Sequence, residues 1–350
     1  MIYSNRAHGD CGELLTTPAT IFGSLIADLH HARHSIDMEY YIFASDRTGN
    51  AIADILCRKA RQGVTVRLLV DGYGSRGITR TLLRRMLTSG VVIHRHKLLR
   101  NSRNHRKMTI VDRRIAHVGG VNIADRYAVG NNLGLWHDVQ LRFTGRGVAS
   151  LVELFDYDYM VAVGLRAVPP CARSSRMLQL LWSEAHGGRA MSELLEDIVA
   201  SSRRSITLTT PYFMPPRYVV DLLASAVARG VRVSVIVPER CDVWVLDNIT
   251  RGYVAMAHKR GVEMLIVRDA FVHAKMALVD GCRTILGSAN LDARSLNINR
   301  ELMLSTRHKG ICRAAENFLL GLRQKSSLPR RSDLQSAFPS LMTKLIETVL

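Results

Sequence analysis

The sequence is poor in cysteine and pairs none of its cysteines in a CxxC spacing. They are Cys11, Cys57, Cys171, Cys241, Cys282 and Cys312. A structural zinc site or a disulfide framework needs closely spaced thiols, so this scatter argues against both kinds of site. We therefore expect reduced thiols and a cytoplasmic protein.

The sequence also has no uninterrupted apolar stretch of about 20 residues, the length that a transmembrane helix needs. The nearest candidate, residues 148–168, is interrupted by the acidic side chains Glu153, Asp156 and Asp158. Residues 1–20 mix charged and small polar side chains and lack the basic-then-apolar order of a signal peptide. These features predict a protein without a transmembrane helix or signal peptide, which would act on a membrane from its surface.

Acidic side chains are scarce relative to basic ones. The chain of 350 residues has 48 Lys and Arg against 30 Asp and Glu, which gives a formal net charge of +18 at pH 7. Such a basic protein favours an anionic partner, and the charge alone suits nucleic acid and an acidic membrane surface equally. The hydrophobic share of 47% and the charged share of 22% are typical of a folded globular protein.

In contrast to these absences, the sequence contains a polar motif that occurs twice. The two copies have identical internal gaps; they are His105, Lys107, Asp112, Gly119-Gly120 and Asn122, and then His273, Lys275, Asp280, Gly287-Ser288 and Asn290. An identical spacing in two distant places is hard to attribute to chance. We therefore interpret the motif as functional rather than as two ordinary core strands.

Strand geometry gives the motif a chemical meaning. Residues two apart on a strand project from the same face, so the histidine and the lysine of each copy can converge on one anion. Lysine supplies a positive charge for phosphate, and histidine supplies a nucleophile or a proton carrier near neutral pH. The apolar runs Met108–Val111 and Met276–Val279 that follow the motif lysines are typical of buried strands.

The rest of the chain alternates short helical and strand patterns, and its second half repeats its first. RRSITLTTPYF matches RHSIDMEYYIF, and Gly63, Gly90, Gly230 and Gly261 each end a predicted helix and precede a valine. We predict an α/β fold with two α/β sandwich halves related by internal duplication. The active site is expected at their pseudo-twofold interface.

The predicted boundaries are 1–167 for the first half, 168–325 for the second half and 326–350 for a basic, amphipathic C-terminal tail. In the tail, apolar residues recur at mostly helical spacing behind the basic segment LPRRS; they are Leu334, Phe338, Leu341, Leu345 and Val349. This pattern suits an interfacial helix at a membrane and a helix packed on the protein's own core equally.

The two HxKxxxxD motifs, each with its trailing glycine and asparagine, resemble the phospholipase D superfamily. Several stretches are further similar to bacterial cardiolipin synthases, namely EYYIFASDRTG, DGYGS, GGVNIADRY, LTTPYFMPP and GSANLDARSLNINREL. The resemblance covers the chain from about Thr16 to Leu320. It implies two phospholipase D-like halves that share one site.

The resemblance also implies catalysis without a metal or cofactor. In the family, one histidine attacks a phosphodiester to form a phosphohistidine, and the other protonates the leaving alkoxide and then activates the incoming alcohol. Carried over by motif position, His105 and His273 are the catalytic pair, and His105, in the first motif, is the nucleophile. The residues that match the phosphate-binding positions are Lys107, Lys275, Asn122 and Asn290.

Four acidic residues complete the predicted site. Asp112 and Asp280 match the motif aspartates of the family, but each lies too far beyond its lysine on a strand to reach the same phosphate, so we expect them to be structural. The resemblance provides Glu301 as the carboxylate partner of His273. The counterpart in the first half is Asp138, in the segment LWHDV.

These features favour a cardiolipin synthase, a phosphatidyltransferase that converts two phosphatidylglycerol molecules into cardiolipin and glycerol through a phosphohistidine. We expect it to bind anionic phospholipid peripherally at the inner face of the bacterial cell membrane. The alternative is a phospholipase D-type phosphodiesterase, either a lipid hydrolase or a nuclease. Nucleic acid is disfavoured because aromatic and basic residues do not interleave as base-stacking platforms do. A non-catalytic binding module would not require matched histidines and lysines.

Overall fold

The computed structural model describes residues 3–4, 11–96, 102–171, 177–186, 189–243 and 245–334. The strands of this part are β1 (Tyr3–Ser4), β2 (Cys11–Leu15), β3 (Ser35–Tyr40), β4 (Thr65–Asp71), β5 (Val92–His96), β6 (Met108–Val111), β7 (Ile115–Gly119), β8 (Trp136–His137), β9 (Gln140–Thr144), β10 (Leu178–Ser183), β11 (Ser205–Thr209), β12 (Phe213–Met214), β13 (Arg232–Pro238), β14 (Glu263–Val267), β15 (Phe271–Val272), β16 (Met276–Val279), β17 (Arg283–Gly287), β18 (Leu291–Asp292), β19 (Glu301–Thr306) and β20 (Ser326–Ser327). The helices are α1 (Pro18–His31), α2 (Arg47–Arg61), α3 (Arg80–Thr88), α4 (Asp125–Ala128), α5 (Arg146–Ala162), α6 (Ala190–Ser201), α7 (Arg217–Ala228), α8 (Val245–Lys259), α9 (Ala293–Asn297) and α10 (Lys309–Gln324), with a 3₁₀ helix at Arg331–Leu334.

The two large sheets have matching strand orders, as an internal duplication requires. The first runs β1-β2-β9-β7-β6-β3-β4-β5, and the second runs β10-β19-β17-β16-β11-β13-β14-β20. In each sheet, the motif strand β6 or β16 lies between its antiparallel hairpin partner and the first strand of a parallel segment. The predicted α/β class and the predicted duplication are therefore confirmed.

Glycine ends the helices that lead into the parallel strands. Gly63 follows α2 with a φ of +86°, and its counterpart Gly230 follows α7 with the same φ. A side chain at this left-handed position would strain the backbone, so the glycine sets where each helix stops and where the next strand begins. Gly90 and Gly261 also have positive φ, which confirms the four predicted helix ends.

One hydrophobic core spans both halves. Phe143 and Phe155 of the first half belong to the same buried cluster as Leu180, Leu304 and Ile311 of the second half. Helices α5 and α10 contribute to this central cluster, while α1 to α3 cover the outer face of the first sheet and α6 to α8 cover the outer face of the second. Because each buried large side chain stabilises the fold by about 1.5–3 kcal/mol, the shared cluster holds the halves firmly together.

The beginning of the segment predicted to be a tail belongs to the second half's packing. Strand β20 pairs antiparallel with β14, and the Arg268 Nη2 donates to Asp333 Oδ2 at 2.7 Å. Leu334 packs against the second half's outer core. The other residues of the predicted tail helix, Phe338, Leu341, Leu345 and Val349, lie outside the described residues. Across the described ranges, no helix is long and apolar enough to cross a membrane.

Candidate active site

Strands β6 and β16 begin directly after the two motif lysines and bring them to the centre of the molecule. Lys107 is 0% exposed and Lys275 is 2% exposed. Each ammonium donates to the backbone carbonyl of its own motif histidine, with Lys275 Nζ 2.5 Å from the His273 oxygen. Two ammonium groups buried at one interface form a strong attraction for a phosphate.

The segment before the first motif pairs with the second half of the chain. Asn104 forms a parallel bridge with Arg300, and the His105 amide donates to the Arg300 carbonyl at 2.9 Å. This register places Glu301, the first residue of β19, beside the His105 ring. The His105 Nδ1 lies 3.0 Å from both carboxylate oxygens of Glu301, which is fully buried.

The second half-site is built in the same way. Strand β15 pairs in parallel with β8, and the His273 amide donates to the His137 carbonyl at 2.8 Å. The next residue, Asp138, therefore reaches His273, and its Oδ2 lies 2.5 Å from the His273 Nδ1. Each histidine thus has a carboxylate on Nδ1, which leaves Nε2 for chemistry.

The carboxylate pairing predicted from the sequence is wrong. The prediction paired Glu301 with His273 and Asp138 with His105, so that each pair lay within one half. The structure crosses them, because the segment that enters each motif pairs with the segment that precedes the acid of the other half. Neither half alone contains a histidine with its carboxylate.

The difference between Gly119-Gly120 and Gly287-Ser288 follows from the two carboxylates. A Cβ at Gly120 would overlap the carboxylate of Asp138, so a side chain at this position would push the acid away from His273. At the matching position of the second half, the Ser288 hydroxyl donates to Glu301 Oε2 at 2.5 Å. The glycine makes room for one acid, and the serine holds the other.

The two motif asparagines also line the shared cavity. The Asn122 Nδ2 donates to the Tyr127 hydroxyl at 2.7 Å, and its Oδ1 accepts from the Ile42 amide at 3.0 Å. The Asn290 Oδ1 is buried and has no hydrogen-bond partner within the described ranges. Both side chains therefore lie at the wall of the cavity that the two histidines share.

The motif aspartates do not join this cluster. Asp112 and Asp280 lie in turns at the far ends of β6 and β16, with φ of 51° and 52°. Asp112 Oδ1 accepts from the Ser35 amide at 2.9 Å, and Asp280 Oδ1 accepts from the Ser205 amide at the same distance. Each carboxylate thus anchors the start of the neighbouring strand, β3 or β11, rather than a substrate.

Burial lowers the pKa of the cationic groups in the site. It lowers the pKa of Lys107 to about 7 and that of Lys275 to about 8, although Glu301 and Asp138 oppose the change. Burial and the charge of Lys275 lower the pKa of His273 to about 3. The pKa of His105 is also lowered, chiefly by burial. Burial therefore favours neutral imidazoles.

The pKa values of the two carboxylates are also lowered, but by their charged neighbours rather than by burial. Burial by itself would raise the pKa of Glu301, but the neighbouring His105 and Lys107 outweigh it and lower that pKa. His273 and Lys275 likewise lower the pKa of Asp138 against the effect of burial. Both acids are therefore ionised acceptors for the Nδ1–H groups of the histidines, which fixes the tautomer and the ring orientation.

A cavity of about 600 Å³ opens onto both histidines. The Tyr41 ring meets the His105 ring edge-on with centroids 5.0 Å apart, and Tyr127 meets His273 in the same way at 5.1 Å. Trp136 packs against His273, also at 5.1 Å. From the sequence, the position of Trp136 beside Asp138 allows a place at the border of the site and a place in the core equally, and Tyr41 and Tyr127 are not assigned to the site because no spacing rule points to them.

One buried cluster has the donor set of a metal site. The ligand atoms of Glu39, His96 and Asp158 lie within 4.8 Å of one another. The Arg106 guanidinium, from the residue between His105 and Lys107, donates to Asp158 and supplies positive charge at this place. The carboxylates are therefore balanced by an arginine that also ties the motif segment to α5.

Comparisons with known proteins place the chain in a family. A family model described as "Cardiolipin synthase, PLD-like domain" matches residues 25–139 and 195–321. A probable cardiolipin synthase of Bacillus subtilis (strain 168) is 32% identical over 297 residues, which cover 80% of this chain and 59% of the relative. A cardiolipin synthase of Geobacillus kaustophilus is 31% identical over 310 residues, which cover 83% of this chain and 61% of the relative. The chain thus spans about three fifths of the length of these relatives.

Solved structures agree on the fold. A phosphatidylserine synthase of Haemophilus influenzae Rd KW20 aligns over 99% of this chain and 94% of its own, with a TM-score of 0.77 and 17% identity. A polyphosphate kinase from Porphyromonas gingivalis aligns over 97% of this chain and 55% of its own, with a TM-score of 0.63 and 17% identity. The family match covers both histidine–lysine motifs and both carboxylates, and we conclude that this chain belongs to the phospholipase D-like domain family of the cardiolipin synthases.

Proposed function

We propose that the protein is a phosphatidyltransferase that joins two phosphatidylglycerol molecules to give cardiolipin and glycerol. The observation that carries the proposal is the meeting of two histidines in one cavity, each with a buried carboxylate on Nδ1 and a buried lysine beside it. Relatives named cardiolipin synthase support this reaction over others that the same chemistry would allow.

In the first half-reaction, the His105 Nε2 attacks the phosphorus of one phosphatidylglycerol. A P–N bond forms, the P–O bond to the head-group glycerol breaks, and the leaving oxygen takes a proton from His273. Lys107 and Lys275 stabilise the charge that grows on the non-bridging oxygens. Glycerol leaves, and the phosphatidyl group stays on His105.

In the second half-reaction, the hydroxyl of another phosphatidylglycerol enters where glycerol left. His273, now neutral, accepts the hydroxyl proton as the oxygen attacks phosphorus, and the P–N bond breaks. The products are cardiolipin, a neutral His105 and a protonated His273. The site has then returned to its starting protonation state.

Substrate binding favours the protonated His273 from which this cycle starts. Without substrate, burial keeps His273 neutral and Lys107 partly neutral, whereas Lys275 keeps more of its charge. A phosphodiester anion in the cavity opposes that effect and raises the pKa of all three groups. The protonated His273 and the charged lysines therefore form when the substrate binds.

The surroundings of the two rings support His105 as the nucleophile. Within the described ranges, the Nε2 of His105 has no hydrogen-bond partner, and its side chain is 13% exposed to the cavity. The His273 side chain is 6% exposed, and Lys275 Nζ lies 2.9 Å from both of its ring nitrogens. A free Nε2 lone pair suits the attacking group, whereas the lone pair of His273 is shared with the Lys275 ammonium, which disfavours attack by that ring.

The proposed setting is the inner face of the bacterial cell membrane, with the protein bound peripherally. The net charge of +18 favours an anionic lipid surface, where each nearby basic side chain contributes about 1 kcal/mol. The substrate head group would then reach the cavity from the membrane surface.

The test is product identification with two classes of substrate. Purified protein is incubated with phosphatidylglycerol vesicles and, separately, with single- and double-stranded oligonucleotides. Cardiolipin and glycerol in the first incubation, with intact oligonucleotides, are the expected result. Phosphatidic acid without cardiolipin would make the protein a hydrolase, and cleaved oligonucleotides would make it a nuclease.

A further inference from the structure

An arginine of the cavity wall lies one aromatic ring away from His273. Arg126, on α4, lines the cavity and is partly buried. Its Cζ lies 5.5 Å from the centroid of the Tyr127 ring and 5.3 Å from that of the Trp136 ring. Both of these rings contact the His273 ring. The guanidinium is therefore held by stacking at a fixed place beside the second histidine.

Part of this guanidinium is left without a protein acceptor. The Arg126 Nε is buried and has no hydrogen-bond partner in the described part of the chain. Burial would lower the pKa of Arg126, but Tyr127 and Asp242, a carboxylate that also lines the cavity and accepts from the Tyr212 hydroxyl, outweigh it and raise that pKa. The guanidinium is therefore charged, and its Nε–H is the donor that lacks an acceptor among the described residues. A buried charged donor without an acceptor is costly, and that cost disappears when an anion binds.

The in-line geometry of displacement at phosphorus indicates which anion would bind beside Arg126. In a displacement at phosphorus, the attacking and leaving groups lie roughly in line on opposite sides. With the phosphatidyl group on His105, the incoming hydroxyl must therefore approach from the side of His273. An acceptor phosphatidylglycerol carries its own phosphodiester one glycerol bridge away from that hydroxyl, which brings a second negative charge close to the rings beside His273.

We propose that Arg126 binds the phosphodiester of the acceptor phosphatidylglycerol and thereby selects an anionic lipid over water or a neutral alcohol. The inference rests on the proposed function and concerns its second half-reaction. The bonds made and broken are those given above: the acceptor oxygen bonds to phosphorus, the P–N bond to His105 breaks, and the proton goes to His273. Arg126 contributes charge and hydrogen bonds and forms no covalent bond.

The same cavity offers a matched comparison on the side of His105. Tyr41, which contacts His105, lines the cavity together with Arg103 and Arg294. Arg103 stacks on Tyr73, with its Cζ 4.3 Å from the ring centroid. If the acceptor phosphate entered from this side, Arg294 rather than Arg126 would control the choice of acceptor.

The experiment compares two acceptors that use the same phosphohistidine. Full-length wild type, Arg126→Gln, Arg126→Lys, Arg294→Gln and the exposed-helix control Arg84→Gln are assayed on phosphatidylglycerol vesicles. One assay measures cardiolipin, and the other measures exchange of isotope-labelled glycerol into phosphatidylglycerol, which needs no second phosphate. For Arg126→Gln we expect cardiolipin formation to fall about tenfold or more while glycerol exchange stays within about twofold, with partial recovery in Arg126→Lys.

Several results would overturn the assignment. Equal losses of both activities in Arg126→Gln would mean that the arginine supports the fold or the reacting phosphate, and unchanged activities would mean that it binds no substrate. A selective loss of cardiolipin in Arg294→Gln alone would move the acceptor to the side of His105. If the wild type exchanges glycerol but makes no cardiolipin, the proposed function fails and this assignment fails with it, whereas cardiolipin synthesis with parallel losses in the variant removes the assignment alone.

Discussion

The His105 and His273 half-sites have the same motif and different surroundings. In the part of the chain that the structure describes, His105 contacts one aromatic ring, Tyr41, and its carboxylate Glu301 has a second hydrogen bond from Ser288. His273 packs against Tyr127 and Trp136, and its carboxylate Asp138 fits only because Gly120 has no side chain. A duplicated motif thus gives two histidines with equivalent partners on Nδ1 and different neighbouring residues, and the proposed division of roles between them rests on that difference.

The first test of the two half-sites removes the imidazole ring of His105 or of His273. In the proposed mechanism each histidine acts in both half-reactions, so His105→Ala and His273→Ala should each lower cardiolipin formation by about a thousandfold or more. The readout is product formation on phosphatidylglycerol vesicles, with thermal unfolding as the check on the fold. Substantial turnover in either variant with wild-type stability would contradict a site shared by the two halves.

A second test changes the glycine of one half-site and the serine of the other half-site to alanine. Gly120→Ala should displace the Asp138 carboxylate from His273 and lower turnover by about a hundredfold, since small misplacements of catalytic groups are costly. The matched change Ser288→Ala only removes one hydrogen bond to Glu301, so we expect a loss of about tenfold or less. Turnover numbers and a crystal structure of Gly120→Ala check both statements. Equal effects of the two changes would show that the half-sites are not constructed differently.

A third test uses the buried lysines and the pH dependence of stability. Folding lowers the pKa of Lys107 from 10.5 to about 7 and that of Lys275 from 10.5 to about 8. Between these values and 10.5 the unfolded chain binds more protons than the folded one, so the stability of the empty protein should rise with pH in this window, by on the order of 1 kcal/mol per pH unit. Denaturant unfolding from pH 7 to pH 9.5 measures the slope.

The control for the pH experiment is a change at an exposed lysine. Lys107→Met should flatten the rise in stability, whereas Lys309→Met, on the exposed surface of α10, should retain it. A slope that is the same in all three proteins would mean that Lys107 remains fully charged in the folded protein.

The smallest expected effect is that of chelation. In the proposed mechanism Lys107 and Lys275 supply the positive charge that metal ions supply in other phosphoryl-transfer sites, so EDTA should leave cardiolipin formation unchanged. The assay is turnover before and after dialysis against EDTA, with detergent micelles as a control for effects of divalent ions on vesicles. Loss of activity that one divalent ion restores would refute this prediction.

Much of this architecture could be predicted from the sequence, because the repeat appears directly in residue spacing. The duplication, the glycine-ended helices and the convergence of both motifs needed only periodicity and strand geometry. The crossed pairing of Glu301 and Asp138 could not be predicted, because it depends on which short segments pair between the halves. The contacts of Arg126 with two rings also depend on packing between distant residues and leave no pattern in the sequence.

The most direct test of the account is to locate the covalent intermediate. The protein is mixed with a phosphodiester whose leaving group needs no protonation, quenched at high pH and digested, and the phosphohistidine is mapped by mass spectrometry. We expect the adduct on His105 in the wild type, its accumulation in His273→Ala and its absence in His105→Ala. An adduct on His273 in the wild type would contradict the account and reverse the roles of the two half-sites.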